Sequence, residues 1–137
     1  WSFSRLLFSA APNRPIMALS STTTTKHLTT VVPPENIQAV QGLEPAALWK
    51  HFAALSSIPR PSKQEQAVLE YIQSVADQHG LEWKQDEVGN MVVFRPGTGA
   101  GVNADPIILQ GHVDMVTEKN AATTHDFTKD PILLELV

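Results

Sequence analysis

The sequence predicts an α/β fold in which two N-terminal helices precede the strands of a mixed sheet, present as an incomplete portion of a domain. Three observations carry this prediction. Before Gly80, apolar residues recur at helical spacing. After it, short runs such as MVVF are rich in β-branched and aromatic residues. The connections between these stretches are short and hold Gly, Pro and Asn. Helices followed by closely spaced strands suit helices laid against a sheet.

The first helix is expected to start near Glu44-Pro45, because proline suits the first helical position. Leu48, Phe52 and Leu55 give it an apolar stripe, with Trp49 beside them. Ile58-Pro59 ends it, since a residue before proline avoids the α region. Ser62 and Glu65, three apart in SKQE, form the pattern of a capping box for the second helix. Val68, Tyr71, Ile72 and Val75 supply its apolar face, and Gly80 closes it as a left-handed cap.

Leu81-Glu82-Trp83-Lys84 alternates like a half-buried strand, Val88-Gly89-Asn90 turns the chain, and Met91–Phe94 is the second strand. A loop from Pro96 to Asp105 leads to a third strand over 106–111, read as buried. A fourth is expected to begin over 131–137. Val31-Val32-Pro33-Pro34 reads as a linker, and no internal repeat is visible.

The chain has 137 residues, 42% hydrophobic and 18% charged, which suits one soluble globular domain. It contains no cysteine, so a disulfide framework and a thiolate zinc finger are excluded. A metal site would use His, Asp and Glu. No apolar run reaches the length of a membrane span, and the net charge of −4 argues against a nucleic-acid surface. Residues 1–34 hold Arg5, Arg14 and Lys26 and no acidic residue, and they are rich in Ser and Thr. They are expected to be a disordered leader, with a transit peptide as one reading. The chain opens on Trp1 rather than Met and closes inside the apolar run ILLELV, so it is expected to be a piece cut at both ends.

Three groups compete for chemistry. Gly97, Gly99 and Gly101 are followed by a strand, whereas phosphate-binding glycines open a helix, so they read as a surface loop. His125-Asp126-Phe127, close to Asp130, is either a satellite of an active site or a turn capped by its Asp and anchored by its Phe. The second reading is favoured. His112-Val113-Asp114 follows the expected strand 106–111. Side chains two apart in an extended segment point the same way, so His112 and Asp114 are expected to face one cleft at the carboxyl end of the strand. An imidazole there is a candidate metal ligand, and a nearby carboxylate can hold its ring. The same two residues also suit an ordinary polar sheet edge.

The stretch LEPAALWKHFAALSSIPRPSKQEQAVLEYI resembles the opening of the aminoacyl-histidine dipeptidases, also called cytosol non-specific dipeptidases. These belong to the dinuclear-zinc peptidases, together with carnosinases and acetylornithine deacetylase. The likeness continues through QDEVGNMVVFRPGTG, ILQGHVDMVTEKN and THDFTKDPI, spanning about residues 43–135 in the family's order.

The resemblance implies that residues 35–137 are the N-terminal part of a zinc-peptidase catalytic domain, with the family's smaller inserted domain absent. It also implies that His112 is the first zinc ligand and that Asp114 orients it. The bridging aspartate, the general-base glutamate and the other ligands would lie downstream. The implied cofactor is Zn2+, two ions in the full-length protein, with Co2+ or Mn2+ as substitutes. The implied activity is hydrolysis of dipeptides, Xaa-His or non-specific, by two metal ions that activate a bridging water. The piece itself is expected to be inactive.

The expected partner is a dipeptide, with no nucleic acid and no membrane, and a homodimer is left open for the full-length protein. The expected location is cytoplasmic, or a mitochondrion or plastid if residues 1–34 are a transit peptide. The rival readings are a non-catalytic α/β binding module that keeps the motif for packing, and an aminoacylase or deacetylase of the broader family.

Overall fold

A computed structural model describes residues 5–9 and 31–137. The described residues fall into two units. One holds the strand Arg5–Ser9 with Ile72–Val113, and the other holds residues 31–71 with Asp114–Val137.

The first unit is built on a mixed four-stranded sheet of β1 (Arg5–Ser9), β2 (Glu82–Gln85), β3 (Met91–Phe94) and β4 (Ile108–His112). Their order is β2-β3-β1-β4. β2 and β3 form an antiparallel hairpin with Trp83 opposite Val93. Its turn is organised by Asp86, whose carboxylate accepts the N–H groups of Val88 and Asn90 and the Asn90 side chain. Those bonds, the Asn90 side chain foremost, lower the Asp86 carboxyl below its usual range. β3 alternates as a half-buried strand does, with Met91 and Val93 fully buried.

β1 runs parallel to β3 and antiparallel to β4, with Arg5 in register with His112. The reading of residues 1–34 as a leader is therefore corrected at Arg5–Ser9, where the backbone supplies an inner strand of the sheet. The short apolar core of RLLFS is enough for a five-residue strand, and the Ser/Thr-rich surroundings concealed it. The rest of the expected leader up to residue 30 lies outside the described residues.

Helix α3 (Gln66–Gln78) delivers the chain to this sheet. Gly80 ends it at φ 63, as expected. The Leu81 N–H bonds the Ala76 carbonyl and the Gly80 N–H bonds that of Asp77, the paired bonds of a Schellman cap. Two side-chain bonds tie the helix to β2: Trp83 Nε1 to Asp77 Oδ1 at 2.9 Å, and Gln73 Nε2 to Gln85 Oε1 at 3.0 Å.

β4 departs from expectation. Ile108 and Leu109 are 63% and 65% exposed, so this is not a buried strand. It is an edge strand with one neighbour, β1, among the described residues.

The second unit opens with α1 (Pro34–Ala39), which begins at the last residue of the expected linker 31–34 and runs through a stretch where no element was expected. Pro34 occupies the first helical turn, a position that loses nothing by lacking an N–H. Helix α2 (Ala46–Ser56) starts one residue later than expected. Pro45 is its N-cap, and the Glu44 carboxylate accepts the Ala46 N–H. The buried side of α2 is made of small residues, Ala53, Ala54 and Ser56, while Leu48 and Phe52 are exposed. The larger stripe read from the sequence is thus not the one the unit buries. Val68 and Leu69 of α3 complete its apolar core.

Residues 131–137 do not form the expected fourth strand. They are held instead by the fully buried side chain of Asn36 and by the Ile132 N–H bonded to the Ser56 carbonyl.

Candidate functional site

His112 and Asp114 fall in different units, and each is described within its own. His112 is the last residue of β4 and is exposed. The observed strand runs through it, beyond the expected end at 111.

Asp114 is 8% exposed, one of the few buried charged groups. A carboxylate withdrawn from water must be hydrogen-bonded to be tolerated. The bond comes from the loop between α2 and α3: Ser62 Oγ donates to Asp114 Oδ2 at 2.5 Å. Backbone contacts hold the two segments together. The Met115 N–H bonds the Arg60 carbonyl at 3.0 Å, and Pro61 and Met115 form a parallel bridge. Arg60 in turn donates from its guanidinium to the Leu55 and Ile58 carbonyls, near the end of α2. Half-burial lowers its pKa from the usual value.

The capping box expected from Ser62 and Glu65 does not form. The Ser62 hydroxyl is committed to Asp114, and the Glu65 carboxylate accepts the Lys63 N–H at 2.9 Å.

His125-Asp126-Phe127 is organised as a turn. Asp126 Oδ1 accepts the N–H and hydroxyl of Thr128, and Asp126 Oδ2 lies 3.2 Å from the Lys129 ammonium. The Asp126 carbonyl accepts the N–H groups of Lys129 and Asp130. The Thr128 hydroxyl and N–H, with Lys129, hold the Asp126 carboxyl down at about 2. His125 stacks edge-on against Phe127 at 4.7 Å between ring centres. His125 and Ser62 line one open cleft of about 1000 Å3, together with Pro61, Gln64 and Thr117. The glycine loop contains a single 3-10 turn, Gly99–Gly101, and its residues are exposed.

With this geometry in view, comparison with known proteins is informative. The chain is 47% identical over 90 residues, 66% of its length, to the cytosol non-specific dipeptidase of Escherichia coli. Among solved structures, the aminoacylhistidine dipeptidase of Vibrio alginolyticus matches 67% of the chain with a TM-score of 0.54 and 36% identity. Over about two-thirds of its length, the chain is similar to part of these dipeptidases. No family model matches it. The chain spans about a fifth of the length of the dipeptidases it matches, 19% of each.

The dipeptidase likeness implies a zinc site, and the described residues do not make one by themselves. No group of three or more His, Cys, Asp or Glu side chains comes together among them. A catalytic zinc takes three protein ligands. Nor is any helix among the described residues long and apolar enough to cross a membrane.

Reading the sequence missed two features of this dipeptidase-like segment. The Ser62–Asp114 bond joins residues 52 apart, and the only local signal at Ser62 pointed to a helix cap instead. Asn36 lies between the linker read at residues 31–34 and the first expected helix, where no pattern marks a buried amide.

Proposed function

We propose that the whole protein to which this segment contributes is a metal-dependent dipeptidase, with His112 as one metal ligand and Asp114 as the carboxylate that orients it. Its substrate is a dipeptide, Xaa-His or broader, and its location is the cytosol. The remaining ligands and the base that activates water come from residues other than those described. The observation that carries this reading is the 47% identity to a cytosol non-specific dipeptidase over 90 residues.

The contrast between two aspartates supports the assignment within the chain. Asp126 serves its own turn, through Thr128 and Lys129. Asp114 is buried and is bonded by a distant loop. A fold seldom withdraws a carboxylate from water without a task for it, because burial penalises the charge.

The test is zinc content and Ala-His hydrolysis in the whole protein and its His112→Ala variant. The expected result is loss of both. Retention of both by His112→Ala would leave the histidine structural and favour a non-catalytic module. Cleavage of N-acylated amino acids in place of dipeptides would assign an aminoacylase or deacetylase instead.

A further inference from the structure

The Ser62–Asp114 bond belongs to a loop whose geometry is over-determined, and the loop presents one hydroxyl. The Gln64 N–H bonds the Pro61 carbonyl at 2.9 Å and closes a tight turn around Ser62 and Lys63. Lys63 lies at φ 73, in the left-handed region that a side chain with a Cβ avoids. That conformation is disfavoured and persists only where neighbours enforce it.

Here the neighbours are identifiable. The carboxylate of Glu65, itself 9% exposed, takes the Lys63 N–H. The Arg60 carbonyl takes the Met115 N–H, and Pro61 bridges to Met115. Both clamps bracket Ser62 on one side and Asp114 on the other. A regular helix cap was open to the same residues, with Ser62 and Glu65 satisfying each other. The chain adopts the strained turn in its place, and the difference is where the Ser62 hydroxyl goes.

We infer that Ser62 is a positioning residue, whose hydroxyl fixes the rotation of the Asp114 carboxylate and through it the working geometry of the dipeptidase site. A hydroxyl-to-carboxylate bond of 2.5 Å is short and charge-assisted, and it pins one carboxylate oxygen. An aspartate held this way cannot swing its acceptor direction away from a ring that it orients. Ser62 is exposed, so its hydroxyl is not explained by burial in a core. The inference rests on the role proposed above for Asp114.

The experiment is a double-mutant cycle in the whole protein, with Ser62→Ala, Ser62→Thr, Asp114→Ala and the Ser62→Ala/Asp114→Ala pair. For each, kcat and KM for Ala-His are measured together with zinc affinity by chelator competition, below the melting temperature of every variant. Ser62→Ala is expected to lower kcat and zinc affinity by about 10-fold, as loss of a supporting hydrogen bond at a metal site does, with KM little changed. Ser62→Thr, which keeps the hydroxyl, should restore most of both. In the Asp114→Ala background, Ser62→Ala should cost nothing further, because its route of action is gone.

Losses that multiply in the double variant would overturn the inference. So would wild-type kcat and zinc affinity in Ser62→Ala while Asp114→Ala is impaired. An unimpaired Asp114→Ala would overturn the underlying role of Asp114 and the positioning role with it.

Discussion

The side chain of Asn36 acts as a one-residue strand partner for the segment around Leu133. Its Nδ2 donates to the Ile132 carbonyl at 3.0 Å, and its Oδ1 accepts the Leu134 N–H at 2.8 Å. A parallel strand would bond the same two groups on either side of one residue. The same Nδ2 also reaches Ser57 Oγ at 3.0 Å, and Ser57 donates onward to the Ala53 carbonyl. One fully buried amide thus joins α1, the end of α2 and the last residues of the chain.

Asn36→Ala removes the three bonds made by its own amide and leaves the Leu134 N–H without the side chain that receives it. An unsatisfied buried polar group costs about 1–3 kcal/mol. Denaturant unfolding of this chain should show a loss of at least that size, and the Leu134 amide should exchange much faster with solvent. Unchanged Leu134 exchange would show that the segment is held by other contacts.

Gly80→Ala should destabilise the chain by about 1 kcal/mol. A Cβ at Gly80 meets nothing within 4 Å, so the cost is the left-handed backbone alone. Thermal unfolding compared with Gly101→Ala, which also meets nothing and lacks a positive φ, separates backbone strain from a general effect of removing glycine.

The Asp126 turn should be acid-labile only at very low pH. Its carboxyl titrates at about 2 in the folded chain, against an ordinary value of 3.8. The folded pKa is depressed, so the stabilisation is fully present above 3.8 and is lost as pH falls through about 2. NMR titration of the Thr128 amide should follow that transition, and Asp126→Asn should abolish it. A midpoint near 3.8 would mean that the Thr128 and Lys129 bonds are not formed in solution.

The 137-residue chain alone should bind zinc weakly and show no dipeptidase activity. His112 is the single ligand proposed above, and no cluster of three donors exists among the described residues. Calorimetric titration with zinc should give no tight stoichiometric site, in contrast to the whole protein. A tight site in this chain would require donors that residues 5–9 and 31–137 do not bring together.

What was legible in the sequence is what local chemistry controls. The Gly80 cap, the Asp86–Asn90 turn of the hairpin and the Asp126 turn each depend on residues within five positions of each other. Their signals are correspondingly local and were legible.

The remaining features depend on contacts between distant parts of the chain. Ser62 and Glu65 fit a helix cap by spacing, but a buried Asp114 competes for the same hydroxyl, and a charge cut off from water binds more strongly than an exposed cap. Leu48 and Phe52 follow helical periodicity, yet α2 buries Ala53 and Ala54, because the stripe that a helix buries depends on what packs against it. Asn36 was missed, and Arg5–Ser9 and residues 131–137 were read differently, for the same reason. Their bonding partners lie tens of residues away, and no local pattern announces a hydrogen bond that only folding brings within reach.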